Sequence, residues 1–95
     1  MPSTTTLTML FYVYILESST DGNRYIGFTN NLKRRLEEHQ SGKSFSTKPR
    51  LPMKLIYFEA CTNENDAKRR EHYLKTTGRR RFLAKRLIAY YKSKL

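Results

Sequence analysis

The sequence predicts an α+β domain of order ββαβαα, in which a three-stranded antiparallel sheet is flanked by helices. The first observation is a hairpin pattern. Residues 11–16 and 24–28 are rich in β-branched and aromatic side chains, and Asp21-Gly22 lies between them. The second is an apolar stretch at residues 54–60 with the composition of a strand. The third is the presence of helical start and stop residues on both sides of that stretch.

The first helix follows the hairpin directly. Thr29 or Asn30 is expected to cap its amino terminus, and Gly42 is expected to end it. The loop at residues 41–52 is polar, basic and irregular. Within the hairpin, Gly27 indicates a bulge or a close approach of another group to the backbone.

The second half of the chain alternates a strand with two helices. The strand at residues 54–60 is mostly apolar, which predicts burial on both faces. Thr62 or Asn63 is expected to start a helix that ends at about residue 76. A single amphipathic helix is predicted from residue 79 to about residue 92.

The domain organisation is simple. A length of 95 residues is enough for one modest core, so we expect a flexible segment at residues 1–10 and one domain at residues 11–92. A lone cysteine, Cys61, excludes an internal disulfide and cysteine-rich zinc sites, and it is expected to be buried. The sequence has no signal-peptide pattern and no apolar run of membrane-spanning length, which predicts a cytoplasmic protein.

The charge distribution points to an anionic partner. The net charge is +11, and from Lys68 onward eleven Lys and Arg residues accompany one acid, Glu71. Localised positive charge is typical of proteins that bind phosphate backbones. An anionic membrane is a weaker alternative, because the apolar side chains of the last helix are needed for the core.

Two polar residues lie near the apolar stripe of the first helix. Leu32 and Leu36 define this stripe, and Arg35 and His39 lie close to it on the helical wheel. An arginine and a histidine four residues apart can jointly hold an anion. The alternative is that Arg35 extends to solvent and that His39 is a hydrogen-bonded core histidine. Spacing alone does not decide between the two.

One acid interrupts the basic second helix. Glu71 lies close to the buried stripe marked by Ala67 and Leu74, within a segment otherwise made of Lys and Arg. A single carboxylate in such a setting can hold Mg²⁺, which fills its other positions with water and phosphate oxygens. The alternative is an ion pair with a neighbouring arginine.

Several tyrosines lie on the predicted hairpin. Alternation places Tyr12 and Tyr14 on one face of the first strand, and Val13 and Ile15 on the other. If the apolar pair packs toward the helices, Tyr14 and Tyr25 lie side by side with their hydroxyls at the exposed face. A phenol with a pKa near ~10 is a poor base at neutral pH, but nearby cations favour its anion. The alternative is that these rings belong to the core.

Together these residues resemble the GIY-YIG nuclease superfamily. Its two tripeptides correspond to Tyr12-Val13-Tyr14 and Tyr25-Ile26-Gly27, with tyrosine in place of the first glycine. The family arginine corresponds to Arg35, eight residues after the second tripeptide, and a histidine found in several branches corresponds to His39. The family glutamate corresponds to Glu71. The resemblance extends from about residue 11 to residue 82 and is greatest to small stand-alone bacterial members related to the amino-terminal nuclease domain of a bacterial excinuclease.

The resemblance implies a GIY-YIG fold and a metal-dependent endonuclease with a role in DNA repair or recombination. Glu71 would hold Mg²⁺ or Mn²⁺. Tyr14 or Tyr25 would orient and deprotonate the attacking water, with Tyr14 favoured as the base. Arg35 would offset charge on the phosphate, and His39 would supply a hydrogen bond or assist proton transfer.

Other basic residues are expected to hold backbone phosphates without reading bases. They are Lys43, Lys48, Arg50, Lys75, Arg79, Arg80 and Arg81. The expected partner is nucleic acid, DNA in preference to RNA, and no membrane. A homodimer or a protein partner is compatible with a nuclease domain of this size.

A second hypothesis is a nucleic-acid-binding module of the same fold that has weak catalysis or none. Many family nucleases carry an asparagine roughly a dozen residues after the glutamate, whereas no asparagine follows Asn65 in this sequence. Such a module would bind nucleic acid with a steep salt dependence and would not cleave it.

Overall fold

The structure is a computed structural model that describes residues 9–76 and 79–93. Most of the segment expected to be flexible, residues 1–10, therefore lies outside the described residues. The described chain contains three strands, four helices and one 3₁₀ turn. They are β1 (Phe11–Ser18), β2 (Arg24–Thr29), α1 (Leu32–Gln40), the 3₁₀ turn (Lys48–Arg50), β3 (Met53–Cys61), α2 (Glu64–Thr76), α3 (Arg79–Arg86) and α4 (Ile88–Lys92).

The three strands form one antiparallel sheet in the order β2-β1-β3. In the β1–β2 hairpin Tyr14 pairs with Gly27, and Leu16 pairs with Tyr25. Between β1 and β3 the register shifts after Ile15, where β3 carries one extra residue. The predicted α+β architecture with a three-stranded antiparallel sheet is confirmed.

Helices cover both faces of the sheet, because β1 is apolar on both sides. Val13 and Ile15 pack with Ala67, Leu74 and other side chains of the carboxyl-terminal helices. We call this side the α2 face. Tyr14 and Leu16 point the other way and pack with the apolar stripe of α1, so we call that side the α1 face. The sheet thus separates two small hydrophobic clusters.

The strand β3 differs from its prediction. It lies at an edge of the sheet, and residues such as Lys54 and Phe58 are exposed, with Phe58 at 49%. The expected burial on both faces is therefore wrong, because the helices leave this edge strand partly uncovered while they bury the central strand β1. Cys61, at the end of β3, is half-buried and not buried as predicted, and its thiol donates to the carbonyl of Asn63.

Capping residues set the bounds of α1 and α2. Asn31 caps α1 by accepting a hydrogen bond from the Arg34 amide, so the predicted cap at Thr29 or Asn30 is wrong. The reason is that Thr29 remains in β2 and accepts from the Asn31 amide, which moves the helix start along the chain. Gly42 follows α1 with a φ of +80°, as its predicted stop role requires. Asn63 caps α2, as predicted.

The predicted last helix is in fact two helices. Leu87 has φ −116° and ψ 39°, which ends α3 and starts α4 in a new direction. The break brings the hydroxyls of Tyr90 and Tyr91 to the buried carboxylate of Glu17, at 2.7 and 3.0 Å. These two hydrogen bonds tie α4 to the hairpin. Among the described helices, none is long and apolar enough to cross a bilayer.

Candidate active site

The close contact between Tyr14 and Gly27 defines the centre of the candidate site. The two residues face each other across the hairpin, and the Tyr14 ring lies over the Gly27 backbone. A β-carbon at Gly27 would overlap Cζ and the hydroxyl oxygen of Tyr14. The predicted close approach at Gly27 is therefore present, and only glycine leaves room for the phenol there.

A chain of hydrogen bonds starts at this phenol. Tyr14 Oη lies 2.9 Å from His39 Nε2, and His39 Nδ1 lies 2.7 Å from Thr47 Oγ1. All three residues are fully buried. Burial, and then the charge of Arg35, lower the pKa of His39 from 6.5 to about 4, against an opposing influence of Glu38. A neutral imidazole donates through one nitrogen and accepts at the other, so the chain is continuous.

The state of Tyr14 follows from its surroundings. Burial raises the pKa of Tyr14, and the nearby Tyr25 acts in the same direction, whereas the nearby guanidinium of Arg35 lowers it. The phenol is therefore protonated at neutral pH. Its hydroxyl was expected at an exposed face, which is wrong because α1 and the loop after it cover this side of the sheet.

The second phenol lies beside the first. The ring centroid of Tyr25 is 6.2 Å from that of Tyr14 and 5.0 Å from that of His39. Tyr25 is half-buried, whereas Tyr14 is fully buried. The predicted neighbourhood of the two tyrosines is present, and Tyr25 is the one that solvent reaches.

Arg35 lies at the edge of this cluster. Its guanidinium donates to Glu38 Oε1 at 2.9 Å and to Ser44 Oγ at 3.4 Å. Desolvation acts to lower the pKa of Arg35, but the hydrogen bond to Glu38 and the nearby phenols of Tyr14 and Tyr25 raise it overall. The same guanidinium lowers the pKa of the Glu38 carboxyl. Arg35 is thus a fixed positive charge beside both phenols.

Glu71 is on the other side of the sheet. It belongs to α2, where Lys68 lies over the Phe28 ring of β2 while Arg70 pairs with Glu59 of β3. Glu71 follows Lys68 by three residues, so helical periodicity puts both on neighbouring positions of one side of α2. Glu71 is therefore expected toward the edge strand β2. Its carboxylate is 21% exposed and lies 3.1 Å from Lys75 Nζ. The structure thus brings the other four predicted residues together on one face of the sheet, and Glu71 belongs to the helix on the opposite face.

Comparison with known proteins identifies the family of this chain. The model of the GIY-YIG catalytic domain matches residues 10–86. The chain belongs to the GIY-YIG family. It is 46% identical over 65 residues to the UPF0213 protein SAG0778 of Streptococcus agalactiae, covering 67% of this chain and 73% of that protein.

Two further relatives extend the comparison. A UPF0213 protein of Bacillus licheniformis is 41% identical over 70 residues, covering 73% of this chain and 71% of the relative. The solution NMR structure of the UPF0213 protein BH0048 from Bacillus halodurans superposes with a TM-score of 0.52 and 36% identity. It covers 86% of this chain and 85% of that one. The chain therefore has the GIY-YIG fold in the form of a small bacterial member.

The donor set restricts what metal the GIY-YIG domain could hold. Within residues 9–76 and 79–93, no three His, Cys, Asp or Glu side chains come together as a metal site. Glu71 is a single carboxylate beside one lysine. Such a site fits a hard cation that keeps most of its water and takes phosphate oxygens from a substrate, as Mg²⁺ does. It does not fit a structural zinc site.

The basic residues predicted to hold phosphates fall into two regions. One is the loop after α1, which is anchored to the cluster through Ser44 and Thr47. The other is α2 and α3 on the opposite face. The first region contributes Lys43, Lys48 and Arg50, and the second contributes Lys75 and Arg81. Arg79 and Arg80 belong to α3, but their side chains lie outside the described part of the chain.

The sequence patterns did not identify three residues of the site. Thr47 and Ser44, both buried, hold His39 and Arg35 from the following loop, and Glu38 pairs with Arg35. The i,i+3 spacing of Arg35 and Glu38 could have indicated their pairing. The roles of Thr47 and Ser44 had no local signal, because they depend on how the loop folds back.

Proposed function

We propose that this GIY-YIG protein is a metal-dependent endonuclease that hydrolyses phosphodiester bonds, with DNA as its substrate and a cytoplasmic role in repair or recombination. The observation that carries the proposal is the cluster of Tyr14, Tyr25, His39 and Arg35 beside the Gly27 backbone. Two phenols and a neutral imidazole with a guanidinium nearby suit the proton transfer and charge neutralisation that phosphodiester hydrolysis requires.

Arg35 would bind the scissile phosphate. Its present partners are Glu38 and the Ser44 hydroxyl, and both lie at its guanidinium nitrogens. The Glu38 side chain in this ion pair is 35% exposed. A phosphate, which carries more negative charge, can therefore compete with Glu38 for the guanidinium. Charge that develops on the phosphate in the transition state strengthens this contact.

The two phenols would have different tasks. Since solvent reaches Tyr25 and not Tyr14, we assign contact with the attacking water to Tyr25, in contrast to the preference for Tyr14 drawn from sequence. Tyr14 would connect Tyr25 to His39 Nε2, at 2.9 Å. In this proposal the two phenol hydroxyls come into hydrogen-bond contact when substrate binds. The water would then give its proton to Tyr25, Tyr25 would give its own phenol proton to Tyr14, and Tyr14 would give its proton to His39 Nε2. No free phenolate has to form, so the raised pKa of Tyr14 does not oppose the proton transfer.

His39 becomes a better proton acceptor when substrate binds. One of the two causes of its low pKa is the positive charge of Arg35. A phosphate bound to Arg35 offsets that charge and so raises the pKa of His39 toward its ordinary value. Thr47 keeps the imidazole oriented through Nδ1. Binding of the substrate thus activates the residue that receives the proton.

Glu71 would hold one Mg²⁺ or Mn²⁺ after release from Lys75. Such an ion stabilises negative charge on the leaving oxygen. Helical periodicity from Lys68 would direct Glu71 toward β2, which is an edge strand, so a phosphate at that edge would be accessible from both faces. Lys43, Lys48 and Arg50 would then hold the backbone on the side of the cluster.

The test is cleavage of supercoiled, single-stranded and branched DNA, with RNA alongside, at defined Mg²⁺ or Mn²⁺ concentration. Glu71→Gln should abolish turnover and keep binding, because the basic surface is unchanged. Glu64→Gln is the matched control, since Glu64 belongs to the same helix and pairs with Lys68 in the same i,i+4 geometry. Equal rates for Glu71→Gln and Glu64→Gln would remove the assignment of Glu71.

A second pair of variants tests the guanidinium. Arg35→Ala should lower the cleavage rate by at least about a hundredfold, the scale measured for the loss of one transition-state donor. Arg34→Ala, one residue away, is the control, because Arg34 is exposed and only loosely paired at 3.9 Å with the same Glu38. Similar losses for both variants would indicate general charge loss and not a contact with the reacting phosphate.

The alternative is a GIY-YIG module that binds nucleic acid without turnover. The occupied guanidinium of Arg35 and the absence of an asparagine after Asn65 favour it. Binding that weakens steeply with salt, with no cleavage by any metal and substrate tested above, is the expected result for this alternative.

A further inference from the structure

A second chemically distinctive site lies on the α2 face, away from the proposed active site. A cavity of about 440 Å³ opens between β3, α2 and α3. We call it the basic-aromatic cavity, and its volume falls within the range of small-molecule sites. The sheet separates it from Tyr14 and His39, which point to the α1 face. Its aromatic walls are Tyr57, Tyr73 and Phe82.

One arginine is held in place inside this cavity. Arg70 Nε lies 2.9 Å from Glu59 Oε1, and a second nitrogen lies 3.4 Å from Oε2. The same guanidinium lies 4.8 Å from the ring centre of Phe82 and 5.4 Å from that of Tyr73. The Tyr57 hydroxyl also donates to Glu59. The aromatic walls are therefore fixed around an oriented guanidinium and are not a loose surface patch.

The cavity has an excess of positive charge. Glu59 is its one lining carboxylate, and Arg70 already neutralises it. Arg81, Lys85 and Arg86 line the same cavity and are exposed. Within the described ranges of the chain, no carboxylate forms an ion pair with these three. The cavity therefore favours a ligand that carries negative charge next to a flat ring.

We propose that the basic-aromatic cavity binds one nucleotide of a single-stranded nucleic acid. The base would stack on Tyr73, which is 42% exposed, and the adjacent phosphates would contact Arg81 and Lys85. Aromatic stacking together with cations along the backbone is how proteins bind single strands without reading sequence. A duplex hides the faces of its bases, so the cavity discriminates against it.

This binding does not depend on the proposed hydrolysis. The cavity shares no lining residue with the Tyr14 cluster, and the two lie on opposite faces of the sheet. A strand held here would be positioned by a contact remote from the cleaved phosphate. Loss of catalysis and loss of this binding can therefore be observed separately.

The first experiment measures binding in EDTA, so that metal-dependent cleavage does not interfere. The probes are a fluorescein-labelled single-stranded oligodeoxyadenylate and its duplex with oligothymidylate. Tyr73→Ala should weaken single-strand binding roughly fivefold or more, with duplex binding unchanged. Phe58→Ala is the control, because Phe58 is a similarly exposed aromatic residue outside the cavity. Equal losses for both variants, or an equal loss for the duplex, would overturn the proposal.

The second experiment locates the ligand by NMR titration of the ¹⁵N-labelled chain with adenosine 5′-monophosphate. Amide shifts should concentrate at Tyr73, Phe82 and Lys85, and Arg35→Ala should leave them unchanged. Inorganic phosphate and adenosine alone should each produce smaller shifts at the same residues. Shifts centred on His39, or displacement of the nucleotide by a glutamate peptide at equal concentration, would contradict a nucleotide site in this cavity.

Discussion

Acidification should destabilise the protein through His39. In the folded state burial and the charge of Arg35 lower the pKa of His39 to about 4, against an ordinary value of 6.5. Between these pH values the unfolded chain binds a proton that the folded chain does not. The stabilisation is therefore complete above pH 6.5 and is lost progressively as the pH falls to about 4. A pKa difference of this size corresponds to about 3 kcal/mol.

The assay combines urea unfolding between pH 4 and pH 7.5 with an NMR titration of the histidine ring protons. His39→Gln keeps a hydrogen-bonding side chain between Tyr14 and Thr47 but cannot titrate, so it should remove most of the loss between pH 6.5 and pH 4. His72→Gln is the control, because His72 is the other histidine and is exposed on α2. It should leave the pH profile of the wild-type protein unchanged.

A His39 ring that titrates near 6.5 in the folded protein would refute the reasoning, because burial and the charge of Arg35 should hold its pKa well below that value. The same conclusion would follow if His39→Gln and wild type lost equal free energies of unfolding over this range. Either result would show that burial of His39 is not the cause of the acid sensitivity.

Two further predictions concern packing of the hairpin. Gly27→Ala should lower the free energy of unfolding by about 1–3 kcal/mol, because its methyl group overlaps the Tyr14 phenol, and thermal melting should show a loss of about 4–8 °C per kcal/mol. In a Tyr14→Leu background Gly27→Ala should cost much less, because the overlapping phenol is absent, and wild-type melting of Gly27→Ala alone would contradict the contact. Tyr91→Phe should cost about 1–3 kcal/mol in urea unfolding, since it leaves an oxygen of the buried Glu17 carboxylate with fewer donors. Tyr12→Phe, a half-buried control, should have little effect.

The parts of the fold that were predictable depend on neighbouring residues. The hairpin follows from two β-forming segments around Asp21-Gly22, and the close approach at Gly27 follows from a glycine inside a strand. The end of α1 at Gly42 is also a local feature, because it requires only that the backbone of this residue adopt the left-handed conformation. Such features need no knowledge of distant parts of the chain.

The parts that were wrong depend on distant contacts. The break at Leu87 allows Tyr90 and Tyr91 to reach Glu17, more than seventy residues earlier, and no helical pattern contains that information. Likewise, Tyr14 was expected at an exposed face, but Thr47 from a later loop closes over His39 and buries it. A polar loop residue gives no sign in the sequence that it will become part of a core.

The order of the strands decides where the proposed chemistry can occur. The phenols and His39 lie on the α1 face, and Glu71 lies on the α2 face, so a phosphate could contact both only around an edge of the sheet. In the order β2-β1-β3, β2 is an edge strand that carries Tyr25 and contacts Lys68 of α2, so we expect the phosphate at this edge. At that edge Gly27 has no side chain, and the space above its backbone is filled by the Tyr14 phenol. A larger residue there would both displace the phenol and widen the edge, which separates the two halves of the proposed site. The second tripeptide therefore requires its glycine for the geometry of the proposed active site as well as for packing.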